Sequence, residues 1–136
     1  LERGVAWPSQ RFTVDGTGLC ITDNLTGLMW VRNANSGIAT WQNALAYANG
    51  QSICGYDDWR LPNKKELRSL IHYEQANSAT WHNGQGYSNV QANSYWSSTT
   101  YSFATTSAWF VTMSGGDVSS FSKSGTLSVW PVRAGQ

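Results

Sequence analysis

The stretch Gly55–Tyr73, "GYDDWRLPNKKELRSLIHY", holds more structural information than any other segment of the chain. Pro62 fixes φ and puts the residue before it in extended conformation. Asn63 followed three residues later by Glu66 is a capping-box pattern, and Leu67, Leu70 and Ile71 then form an apolar stripe. The spacing predicts a helix over 63–73. Asp57 and Asp58 precede Trp59 and Arg60, a pattern that suits an Asx-turn and a salt bridge from one carboxylate to Arg60; Arg133 is a second candidate partner. A carboxylate pair for general acid and base work is the competing reading, and the motif context disfavours it.

Upstream, "TWQNALAYANG" repeats Trp41, Ala44, Leu45 and Ala48 at i, i+3, i+4 and i+7, with Thr40 to cap the start and Gly50 the end. This predicts a helix over 40–49. The segment from Arg11 to Arg32 alternates short apolar runs with turn residues at Asp15–Gly16 and Asn24–Gly27, the pattern of a β-meander. Residues 75–92 have no period and many turn formers, so a long loop is expected there. From Asn93 onward "SYWSSTTY", "AWFVTM", "DVSSFS" and "LSVWPVR" alternate apolar with small polar residues, as in an antiparallel sheet with one buried face. The fold class is therefore α+β: two short helices, a small antiparallel terminal sheet and long loops in a single domain over 1–136.

Composition narrows the function. A formal charge of +1 gives no electrostatic reason to expect nucleic acid. No apolar run approaches the roughly 18–20 residues of a membrane span. The opening "LERG" carries no export signal, so the expectation is a soluble piece cut from a longer precursor. Eight Trp and only 12% charged residues, with Ser, Thr, Asn and Gly making up the difference, favour an extracellular recognition surface over a cytosolic enzyme. Cys20 and Cys54 allow one disulfide in an exported protein, with two buried thiols as the alternative; the bridge would be worth roughly 3–4 kcal/mol.

"FTVDGTGLCITDNLTGLMW", "GYDDWRLPNKKELRSLI", "YWSSTTY", "AWFV" and the closing "VWPVR", in that order, resemble the family of the Legionella collagen-like protein C-terminal domain, over about Val5 to Gly135. The resemblance implies a C-type lectin-like, formylglycine-generating-enzyme-like fold in an exported, surface-located bacterial domain that binds ligand. It also implies a protein or glycan partner, an oligomer as one option and no direct membrane insertion. Trp30, Trp59, Trp96 and Trp130 lie within the shared motifs and are expected in the core.

Catalysis is not expected. Enzymes of the wider fold use a cysteine pair late in the domain, whereas the last cysteine here is Cys54, and neither His72 nor His82 has a nucleophile beside it in sequence. No cofactor and no metal site are expected, since no Asp or Glu occurs between Glu74 and Asp117 to build the usual calcium loop; a cation held partly by backbone carbonyls is the alternative.

Between Thr99 and Ser128 only Trp109, Met113 and Lys123 fall outside the residue types that an AAC codon reaches when its adenines are replaced. The family resembled here includes targets of diversity-generating retroelements, which rewrite adenines in this part of the gene. The candidate variable, ligand-binding positions are Ser102, Phe103, Thr105, Thr106, Ser107, Phe110, Thr112, Ser114, Asp117, Ser119, Ser120, Phe121, Ser122, Ser124, Thr126, Leu127 and Ser128, with Tyr101 as a further aromatic anchor. Trp109, Val111 and Met113 would face the core while Phe110 and Thr112 meet ligand, and the fixed scaffold would resume at Val129. An ordinary hydroxyl-rich solvent face is the plain alternative. A second function, taken from the collagen-like adhesin, is binding of sulfated polysaccharide by an oligomer through Arg60, Lys64, Lys65 and Arg68. For those four the plain alternative is a solvated helix face.

Overall fold

The computed structural model describes residues 11–34, 37–71, 82–83, 87–91, 93–114 and 116–134. Strands β1 (Phe12–Val14), β2 (Cys20–Asp23) and β3 (Met29–Val31) form the expected meander, and β9 (Val132–Arg133) pairs with β3 to give a four-stranded antiparallel sheet in the order β1-β2-β3-β9. The N-terminal meander and the last strand of the chain thus share one sheet. Beside β3, the backbones of Asn33 and Ser88 form a parallel bridge within the stretch expected to be loop. The remainder of that stretch lies largely outside the described residues.

The second sheet has five strands in the order β4 (Ile38–Ala39), β8 (Leu127–Ser128), β5 (Ser94–Thr100), β6 (Ser107–Thr112), β7 (Val118–Ser122). It departs from the expected antiparallel sheet at one place: β5 and β8 run parallel, through Tyr95 and Ser128. Residues paired across antiparallel strands share a face, and successive residues alternate. Tyr95, Val111 and Val118 therefore form one row on one face, and Trp96, Phe110 and Ser119 the next row on the other.

Both faces are covered, not one. Tyr95, Val111 and Met113 join Trp30, Trp130, Val132, Leu67 and Leu70 in the larger core. Trp96 and Ala108 join Trp41, Ala44, Ala48, Leu61 and Val129 in a second core, formed by helix α1 (Trp41–Asn49). Helix α1 begins and ends where its caps predict, Thr40 accepting from the Asn43 N–H and the Gly50 N–H returning to Ala46. The four motif tryptophans are all buried, and the indole N–H groups of Trp59, Trp96 and Trp130 reach backbone carbonyls of Ile53, Ala39 and Val31.

Helix α2 is shorter than expected, Lys64–Arg68. Its capping box is present in both directions, Glu66 N–H to Asn63 Oδ1 at 2.8 Å and Asn63 N–H to Glu66 Oε1 at 2.9 Å. At the far end the N–H groups of Leu70 and Ile71 turn to carbonyls three residues back, which buries both side chains but ends the helix. The Ser69 carbonyl is taken by Arg11 at 2.8 Å, and Arg11 also forms a buried two-pronged bridge to Asp23. Residues 72–73 of the expected helix lie outside the described residues.

Cys20 and Cys54 form a disulfide, which closes the two-way choice left by composition. Ile53 and Tyr56 exchange backbone hydrogen bonds across Cys54 and Gly55, whose φ values of 58° and 82° are those of a primed two-residue turn.

Candidate functional site

Strand β5 carries extra residues between Trp96 and Thr100, where its register with β6 shifts. The bulge frees polar groups that anchor both helices. Ser97 accepts the Trp41 indole N–H through its carbonyl at 2.8 Å, the Ser98 N–H donates to Pro62, and Thr99 Oγ1 accepts the Lys64 N–H at 3.1 Å. Bulges re-aim side chains at sheet rims, and the rim beyond this one is the hairpin between β5 and β6.

That hairpin carries an aromatic cluster. Tyr101 stands edge-on to Trp109 with ring centres 5.0 Å apart and lies 5.6 Å from Phe103, a residue 87% exposed. Lys64 places its ammonium 4.1 Å from the centre of the Trp109 ring. Trp109 is therefore half-buried, under Tyr101 and Lys64, and does not enter the core with Val111 and Met113 as the alternation suggested. Ser102, Thr105 and Thr106 surround the cluster as exposed hydroxyls.

The opposite face of the sheet presents Phe110, Ser119 and Phe121. Phe121 leans toward Trp96 at 6.2 Å and folds over Gly125, where an added Cβ would collide with its ring. Lys123 holds this end to the scaffold, with its ammonium 4.0 Å from the Trp41 ring centre and 3.1 Å from Thr100 Oγ1. Asp117, Ser122, Ser124 and Thr126 are exposed, and Ser107, Thr112, Ser114, Ser120 and Leu127 are half-buried. Ser128 is buried, which corrects its expected place on the surface: it pairs with both Ile38 and Tyr95, so the scaffold resumes one residue before Val129.

The candidate positions thus form no single patch. One set lies at the hairpin around Trp109 and another on the reverse face around Phe121. Thr126 and Leu127 line a shallow depression of about 270 Å³ with Ile38, Asn93 and Ser94.

A family model described as the Lcl C-terminal domain matches residues 19–133. The chain belongs to the Lcl C-terminal domain family. A search of curated proteins found no match.

In this Lcl C-terminal domain the four cations weighed for polysaccharide binding divide. Arg60 is bound two-pronged to Glu66, both contacts at 2.7 Å, and does not make the expected bridge to the neighbouring aspartates. Lys64 covers Trp109, and Lys65 and Arg68 are exposed on α2. Asp58 instead pairs with Arg133 at 2.6 Å, the other partner foreseen, and Arg133 lies against the Tyr56 ring at 3.6 Å. The hydrogen bond from Arg133 holds the Asp58 carboxyl below its ordinary value. Burial pulls the Glu66 carboxyl upward, but hydrogen bonds from Arg60 and Asn63 outweigh it and hold Glu66 low as well.

His82 is buried with its ring against Phe12 and Tyr87, and His72 lies outside the described residues. Asp15 comes near both cysteine sulfurs, but these are joined to each other and offer no thiolate to a metal.

One feature had no sequence signal. Gly18, Leu19, Val31, Arg32, Asn33, Ile53 and Ser88 line a groove of about 430 Å³. Its residues come from four separate segments, so no local pattern announces it.

Proposed function

We propose that this Lcl C-terminal domain is an exported, surface-associated bacterial binding module without catalytic activity. Its ligand surface is the β5–β6 hairpin and the β6–β7 strands, open to sequence diversification. The observation that carries the reading concerns the three residues of the window that adenine replacement in an AAC codon cannot produce. Met113 is fully buried, Trp109 is in contact with Tyr101 edge-on and with the Lys64 ammonium, and Lys123 is clamped to Trp41 and Thr100. All three belong to the frame. Around them the exposed positions are mostly small hydroxyls, with Phe103, Phe121, Ala104 and Asp117 among them, a mixture that gives adaptable hydrogen bonds and rigid aromatic anchors. The disulfide supports the exported location, because such bridges persist in oxidising compartments.

The reading predicts that a domain with a second set of side chains at Ser102, Phe103, Thr105, Thr106, Ser119 and Phe121 keeps its fold and changes its ligand on a protein and glycan array. Retention of the same ligand by both chains would sink it. In the gene, a near-identical copy bearing adenines at these codons, beside a reverse transcriptase, is expected.

A second reading, sulfated polysaccharide binding, is supported by Lys65 and Arg68, which stand exposed beside Lys64 on α2. It requires heparin affinity that falls steeply with salt and is lost when Lys64, Lys65 and Arg68 are all changed to Ala.

A further inference from the structure

Strand β7 ends the five-stranded sheet, and among the described residues nothing pairs with its outer edge. Unpaired edges are ordinarily blunted by proline, by charge within the strand or by a bulge. The sequence of β7, "VSSFS", has none of these, and its register with β6 is continuous from Ser107–Ser122 to Val111–Val118.

The phase of the ladder identifies which groups are free. The Lys123 N–H donates to the Thr106 carbonyl and the Thr112 N–H to the Asp117 carbonyl. Hydrogen-bonded pairs alternate along an antiparallel ladder, so Ser119 and Phe121 bond inward to β6. Val118 and Ser120 then direct both backbone N–H and C=O outward, and Ser122 its N–H, because the Ser122 carbonyl already accepts the Gly125 N–H at 2.9 Å.

We propose that this edge pairs with the same edge of a second copy of the chain, antiparallel and centred on Ser120. In that register Ser120 meets Ser120 of the other copy, Val118 meets Ser122, Ser119 meets Phe121 and Asp117 meets Lys123. The two Ser120 residues then exchange N–H···O=C bonds and each Ser122 N–H meets a Val118 carbonyl at the correct phase, while each Val118 N–H meets the second lone pair of a Ser122 carbonyl that also accepts from Gly125. A small Ser lies opposite each Phe121. The two charges that flank the strand in sequence, Asp117 and Lys123, are of opposite sign and fall opposite each other twice, on the same face of the joined sheet as Phe121. The Lys123 ammonium keeps its place over Trp41 and beside Thr100, so the complementarity acts as charge attraction across the seam and needs no direct ion pair. Asp117 is exposed and is in no ion pair among the described residues. A second copy satisfies this charge register by symmetry, which an arbitrary extended peptide does not. The pairing uses the backbone edge of β7 and requires no ligand on the β5–β6 hairpin or on the side chains of β7.

A single strand pair buries less than the roughly 1,000 Å² of a stable interface, so the dimer is weak in solution and gains from dense display on a surface. Sedimentation of the disulfide-intact chain from about 10 µM to about 1 mM should show a monomer–dimer equilibrium. Ser120→Pro removes the central outward donor without touching the ladder to β6, and Asp117→Lys places like charges opposite Lys123. Each should weaken the dimer about tenfold or more. Ser120→Cys should cross-link under mild oxidation, whereas Ser122→Cys, which faces Val118, should not. A chain monomeric throughout the range would overturn the proposal; an extended peptide as the true occupant would give that result. A dimer indifferent to Asp117→Lys, or equal cross-linking at Ser120→Cys and Ser122→Cys, would also overturn it. Asp117→Lys and the cysteine variants decide the matter even if Ser120→Pro does not fold.

Discussion

Glu66 serves two structures with one carboxylate. Its Oε1 accepts the Asn63 N–H that opens α2 and, with Oε2, holds both terminal nitrogens of Arg60, while the Arg60 N–H and carbonyl bond to Val132 in the last strand. The helix cap is thereby coupled to the end of the chain. The side chain of Arg60 is 41% exposed, so solvent screening keeps the ion pair small. Glu66→Gln should therefore cost only about 1 kcal/mol at neutral pH, by urea midpoint. The pH dependence separates charge from packing. Because the folded-state pKa of Glu66 is depressed, the stability it adds is present above the unfolded value of about 4.3 and is lost as pH falls through the folded value. The wild-type chain should lose more stability than Glu66→Gln between about pH 5 and pH 3. Equal losses would show that the carboxylate charge is not what holds the cap to Arg60.

At the scale of elements, the disulfide joins strand β2 to the turn Ile53–Tyr56, and Trp59 and Met29 pack with Cys20 in a small core of their own. Neither end lies in a helix that could hold it independently. Changing both cysteines to Ser should cost about 2–4 kcal/mol for a separation of 34 residues. A loss well under 1 kcal/mol would mean that the small core alone fixes the turn. This pair was legible in the sequence as a possibility, because composition counts cysteines but cannot place them. Helix α1 was legible to its end residues, since cap, stripe and stop all lie within eleven positions. The start of α2 was legible for the same reason, but its end was not. What ends it involves burial of Leu70 and Ile71 and the capture of the Ser69 carbonyl by Arg11, a residue 58 positions away. The same distinction runs through the sheets. The meander was legible from its turns, whereas the parallel β5–β8 contact and the cover of the second face by α1 depend on long-range packing that alternation does not encode. Alternation also placed Trp109 in the core with Val111 and Met113, because it does not register the lysine from α2 that covers the ring instead.

Taken as a whole molecule, the domain separates what it buries from what it displays. The two cores lie on opposite faces of the five-stranded sheet at β5 and β6, and toward β7 and the hairpin the side chains leave the cores for solvent. Stability and surface chemistry then draw on different residues. Val111→Ala and Met113→Ala remove fully buried atoms from the larger core, and Met113→Ala should cost about 2–5 kcal/mol through lost burial and the cavity left behind. Ser102→Asn, Thr105→Asn and Ser119→Asn touch only exposed positions and should each stay within about 0.5 kcal/mol. Phe121 is the intermediate case, because its ring covers Gly125 and approaches Trp96. Phe121→Ala should cost more than the exposed set and less than Met113→Ala, a ranking that chemical denaturation of the five variants measures directly. The separation matters for function because a surface can be rewritten repeatedly only if each rewriting leaves the fold above its stability threshold. If the exposed substitutions cost as much as Met113→Ala, the sheet surface would be part of the frame, and a binding module that varies there would be physically untenable.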